Sequence, residues 1–222
     1  GAGGAIYATD AVIDSCTIRG NDAESGGGVF LFDCIISSST LSGNTASLNG
    51  GGYAGGGRES LISNCVIDGN TAVASGGGLR LLDRCDVMES IIVSNSAETG
   101  GGAACSRLPS SFRSCTIASN SAAQGSGIAF LGFEPVTHFV SRSIIVGGVG
   151  SAGVSCSPMS SVTIDCTDIY DNEGGDWIDC IEHQSDTMGN LSADPGFCKA
   201  GIDWSICSDS PCAPEHSGKC GL

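Results

Sequence analysis

Close to its end the chain places four carboxylates within a nine-residue span, Asp168, Asp171, Glu173 and Asp176, with Asn172 among them. Oxygen ligands so spaced could hold a hard divalent cation such as Ca²⁺. They do not follow the EF-hand loop pattern, and a solvated acidic turn is the simpler account. No other cofactor is expected.

Acid–base chemistry finds less support. Abstracting a proton beside a sugar carboxylate needs a base, with Ca²⁺ or arginines to neutralise the acid. Lys199 and Lys219 fall in the last segment, and Arg19, Arg58, Arg80, Arg84, Arg107, Arg113 and Arg142 show no clustering with acids along the sequence. Hydrolysis of a glycosidic bond needs two facing carboxylates, whereas Asp14, Asp33, Asp68, Asp83 and Asp86 are scattered beside turns. His138, His183 and His216 stand without a nucleophile or metal partner at a telling spacing. The expectation is a non-catalytic protein, with a polysaccharide lyase or hydrolase as the remote alternative.

What must position all these residues is a repeat. CTIRGNDAESGGG, from Cys16 to Gly28, recurs as TLSGNTASLNGGG, CVIDGNTAVASGGG, SIIVSNSAETGGG and CTIASNSAAQGSG. The anchors are Asn21, Asn44, Asn70, Asn95 and Asn120; the pattern passes through Gly148 and returns at Asn172, in steps of 23, 26, 25, 25, 28 and 24 residues. A period in this range marks a solenoid. Three positions before each anchor stands Ile18, Leu41, Ile67, Ile92, Ile117, Ile145 or Ile169, and eight before it Ile13, Ile36, Ile62, Val87, Phe112, Val140 or Ile164. Such columns, separated by small, polar and Gly-rich corners, describe short strands that each bury one face. A helical repeat would need long Ala, Leu, Glu and Lys stretches, and the chain has two lysines. Parallel crossovers are right-handed, so the expected fold is all-β: a right-handed parallel β-helix of about seven coils. Equivalent residues then stack about 4.8 Å apart along a rod of roughly 34 Å. The asparagines are expected to form a structural ladder, each amide donating one way and accepting the other.

Residues 1–176 are assigned to the coils and 177–222 to a Cys-rich, acidic cap containing Trp177, Phe197 and Trp204. The first residues, Gly1 to Ile6, already sit in the glycine-corner phase, so either the chain was trimmed or another molecule covers its first coil. Thirteen cysteines without a C-x-x-C pair fit an oxidising exterior. Cys16, Cys65 and Cys115 share a column two coils apart, about 9.6 Å, too far for a disulfide. Candidate bonds across one coil are Cys105 with Cys115 and Cys156 with Cys166; Cys16 with Cys34 and Cys65 with Cys85 are looser. The competing account is buried free thiols acting as small apolar residues. The odd total leaves at least one thiol unpaired within the chain.

A net charge of −15 argues against nucleic acid and anionic membranes as partners. No apolar run suits a membrane span, and no signal peptide is present, which suggests a mature or trimmed form. The divergent sixth coil, with Phe130, Phe133, His138 and Phe139, is the candidate binding patch, because insertions in solenoids map to one face. The match of Gly148 to Gly153 to G-x-G-x-x-G lacks a strand-then-helix setting and is taken as chance.

Gly3-Gly4-Ala5-Ile6, with Gly27-Gly28-Val29 and Gly77-Gly78-Leu79 as near matches, resembles the G-G-A-[ILV] half of the polymorphic outer membrane protein repeat. The F-x-x-N half departs from it, since Ile18-Arg19-Gly20-Asn21 and its relatives carry Ile or Leu in place of Phe. The chain is also similar to secreted bacterial right-handed β-helix repeat proteins, whose D-P-x-F…S-P-C ending is matched by Asp194-Pro195-Gly196-Phe197 and Ser210-Pro211-Cys212. That resemblance implies an adhesin, a surface structural protein or a polysaccharide lyase, since the fold hosts all three. The expected function is a non-catalytic extracellular or cell-surface structural protein. Its first coil would dock on the cap region of the next copy to build a filament; a glycan-binding adhesin is the alternative.

Overall fold

The computed structural model describes residues 1–199, 203–213, 216 and 220; Lys219 lies outside them. Three parallel sheets of seven strands run side by side along one rod. The first contains Ile6–Thr9, Val29–Phe32, Tyr53–Gly56, Leu79–Leu81, Ala103–Cys105, Ile128–Phe130 and Val154–Cys156. The second contains Val12–Asp14, Ile35–Ser37, Leu61–Ser63, Asp86–Met88, Ser111–Arg113, Val136–Ser141 and Ser160–Asp165. The third contains Thr17–Arg19, Thr40–Ser42, Val66–Asp68, Ile91–Val93, Thr116–Ala118, Ile144–Val146 and Asp168–Tyr170. A three-stranded flank, Asp22–Ser25, Thr45–Asn49 and Thr71–Ala72, completes the early coils.

In the second and third sheets each three-residue strand points its middle side chain inward, as a period of two allows. In the second sheet Ile13, Ile36, Ile62, Val87, Phe112, Val140 and Ile164 are therefore vertical neighbours. In the third, Ile18, Leu41, Ile67, Ile92, Ile117, Ile145 and Ile169 pair in the same way. All fourteen are buried, each worth about 1.5–3 kcal/mol against exposure. The first sheet fills the remaining side of the core with Val29, Leu31, Tyr53, Leu79, Leu81, Cys105, Ile128, Phe130 and Val154.

The asparagines bind the coils together. The backbone N–H and Nδ2 of Asn44 both donate to Asn70 Oδ1, at 2.9 and 3.0 Å, and Asn70 treats Asn95 Oδ1 identically. Nδ2 of Asn44 also donates back to Ile18 O at 3.0 Å, so one amide links three coils. At Gly148 the ladder changes hands. A Cβ there would lie 2.1 Å from Ser126 Oγ, and Ser126 stands where earlier coils carry Gly27, Gly51, Gly77 and Gly101. The buried Ser126 donates to Ser151 O and Ala152 O, occupying the space that an asparagine at 148 would need.

The last coil is closed by side chains. Ile164 N donates to Gln184 Oε1 at 2.8 Å, and Gln184 Nε2 to Val162 O at 2.9 Å. Asn190 accepts from Thr167 N and donates to Ile164 O. Gln184 ends a 3-10 turn, Asp179–Gln184, whose Ile181 is fully buried against the coil. A hairpin of Phe197–Lys199 and Asp203–Ile206 follows.

The cysteine pairings differ from expectation. Cys105 and Cys115 are free and buried, and Cys156 and Cys166 bond not to each other but to Cys180 and Cys220; Cys198 bonds Cys207. Cys16, Cys34, Cys65 and Cys85 are also free. Cys105 lies in a strand of the first sheet while Cys115 sits at the corner entering the third, where its amide donates to Ser143 Oγ at 3.1 Å. Cys16 and Cys65 donate likewise to Ser39 and Ser90. The alternation of Cys and Ser in that column thus supplies a hydroxyl acceptor to every second coil.

Candidate functional site

Since Val87, Phe112 and Val140 point inward, their strand neighbours point out. Asp86, Met88, Ser111, Arg113, Phe139 and Ser141, with Arg84 and Asp165, line a cleft of about 500 Å³ on the second sheet. Asp86 is held from both sides, by Arg84 at 3.6 Å and by the Ser111 hydroxyl at 2.7 Å. Arg113 has no ion pair among the described residues, and it lies between Met88 and Ser141 in register. Phe139, on the next coil, is 49 % exposed. Around the corner Asp83, Arg107, Leu108, Phe133 and Glu134 line a second cleft of about 550 Å³, with Phe133 80 % exposed.

The arginines are therefore not all dispersed: Arg84 and Arg113 meet in the first cleft, while Arg107 lines the second. Sequence spacing hid this because the residues come from separate coils. The aromatic patch divides. Phe133 and Phe139 face solvent, whereas Phe130 and His138 are buried and stacked with ring centroids 4.6 Å apart. His138 Nδ1 accepts from Ser110 N at 3.2 Å, and burial pushes its pKa down to about 4. His183 and His216 are exposed.

Asp86 and Asp165 are the two carboxylates in the groove, three rungs apart, about 14 Å at the strand spacing. Glycosidase pairs sit within about 5–9.5 Å, so this pair does not meet that geometry.

The four carboxylates of the candidate cation site do not converge. Asp168 is fully buried, accepting from Ala193 N at 3.0 Å and from the Cys212 thiol at 3.2 Å. Asp176 accepts from Asn172, Glu173 from Gly150 N at 2.7 Å, and Asp171 is an exposed corner residue at φ 55°. Among the described residues no group of three or more His, Cys, Asp or Glu could hold a metal ion. Burial raises the Asp168 pKa, and it pushes Cys212 up to about 12 with help from the adjacent carboxylate.

The two ends of the rod differ. Ile6–Thr9, Val12–Asp14 and Thr17–Arg19 are the outermost strands of their sheets; Tyr7 is 62 % and Val12 69 % exposed. Asn21 donates twice to Asn44 Oδ1, while its own Oδ1 receives no donor among the described residues.

Seven parallel rungs, an inner asparagine stack and a side-chain cap define a right-handed parallel β-helix. Residues 2–144 match the family described as right handed beta helix region, and the chain belongs to that family. No curated protein matches it. No helix among the described residues is long and apolar enough to cross a membrane.

Proposed function

We propose that this chain is a non-catalytic structural β-helix of the cell surface or extracellular space. The closure of the last coil by side chains and disulfides carries this reading. At the far end Gln184, Asn190 and Asp176 occupy hydrogen-bonding positions that a further coil would use. A filament needs an open surface at both ends, and the cap closes the second and third sheets at this one. Three disulfides and a net charge of −15 suit an oxidising, salty exterior.

Incubated with acidic polysaccharides, the chain is expected to release no unsaturated products. Release of unsaturated products from acidic polysaccharides would overturn the non-catalytic assignment.

A further inference from the structure

We infer that the corner between the first and second sheets in coils five to seven docks a second copy of this chain, the two rods lying side by side about a two-fold axis. This goes beyond the structural reading above and does not depend on it. Coils one and two turn this corner in two residues, Asp10 and Ala11, then Asp33 and Cys34; coils five and six take five, residues 106–110 and 131–135, and coil seven takes three, 157–159. The longer loops carry Leu108, Phe133 and Met159 on successive coils, all exposed. Pro109, Pro135 and Pro158 stand beside them and are exposed too, so every proline before the cap, three of the chain's six, lies on this ridge. Proline fixes the backbone and so lowers the freedom lost on binding. The loops are also tied to each other: Gly132 N donates to Ser160 Oγ, and Ser157 Oγ donates to Gly132 O at 2.8 Å. A preformed apolar ridge of this kind marks an interaction surface.

Its charges point to a second copy. Asp83, Arg107 and Glu134 share with Leu108 and Phe133 the cleft of about 550 Å³, and none of the three is in an ion pair among the described residues. A two-fold contact sets the same patch on both sides, so Arg107 of each copy meets the partner's Glu134 while Phe133 fills the partner's cleft. The chain carries −15 overall, but here a cation stands beside the acids, and opposite charges face each other across the axis. A lipid surface would instead have to take up three ionised groups without partners.

The test is sedimentation velocity of the full chain over rising concentration in about 0.15 M salt, where charges beyond about 8 Å are screened. Six apolar residues a side are fewer than the roughly 20–30 residues of a standard interface, so the expected result is a reversible dimer that grows with concentration. Phe133→Asp should weaken it about tenfold or more, as should Glu134→Arg, and combining Glu134→Arg with Arg107→Glu should restore it. Val73→Asp, at an exposed apolar site on the flank, should leave it unchanged. All four residues are exposed, so unchanged urea midpoints check that the variants fold. A monomer up to about 1 mM chain, a dimer indifferent to Phe133→Asp, or a charge exchange that fails to restore it would overturn the assignment. A monomer that pellets with zwitterionic vesicles through Phe133 would overturn it in favour of a lipid surface.

Discussion

Asn172 gives both its backbone N–H and its Nδ2 to a single carboxylate oxygen of Asp176, at 3.0 and 2.7 Å. A carboxylate accepts without donating, so it ends a stack of amides with no proton left over. Asp176→Ala would leave the backbone N–H of Asn172 without its acceptor, at about 1–3 kcal/mol, while Nδ2 keeps Ile145 O and Tyr170 O. Asp176→Asn keeps an acceptor and should lose less than half as much. Asn70→Ala, in mid-stack, strips the acceptor from Asn44 and the donor from Leu41 O, and is expected to cost about 3–5 kcal/mol. Urea midpoints rank the three; equal values for Asp176→Ala and the parent chain would refute the terminating role.

Seven cysteines are free and only Cys16 among them is exposed. An aromatic disulfide reagent should therefore titrate one thiol per native chain and seven after denaturation without reductant. Burial pushes the thiols of Cys105 and Cys115 up to about 12, which further slows their attack, since the thiolate is the nucleophile. More than one fast thiol would contradict the burial of this set.

Acid should strengthen the closure at Asp168. Its folded pKa lies above the ordinary carboxylate value because burial disfavours the charge. Between those two values the unfolded chain is ionised and the folded chain is not, so stability falls as pH rises through that window. Asp168→Asn is expected to raise the urea midpoint at neutral pH and to flatten this slope, with the two proteins converging below the ordinary carboxylate range.

His138 acts in the opposite sense. It is neutral in the folded chain down to about pH 4, whereas in the unfolded chain it titrates near its usual value of about 6.5. Stability present above the higher value is lost as pH falls from it toward the lower. His138→Asn keeps an acceptor for Ser110 N and cannot titrate, so its midpoint should not show this component of the acid slope.

The rungs could be read from the chain because the period leaves its mark on whole columns. Ile36 over Ile62 over Val87 needs only equal spacing and one buried face. The first sheet left a weaker trace, since its inward positions run from Leu31 through Gly55 to Cys105, and no single residue type marks them. Disulfides escaped for a different reason: Cys156 and Cys166 are bonded to residues of a cap that obeys no period. The groove was hidden because Arg84, Arg113 and Asp165 meet only when the coils are wound.

The exchange between Ser126 and Gly148 has a consequence for descent. Restoring asparagine at 148 alone would collide with the hydroxyl, and restoring glycine at 126 alone would leave a hole beneath the strand turn. Neither site is free to drift by itself, so lineages carrying this coil should change the two together, as a heritable pair separated by 22 positions.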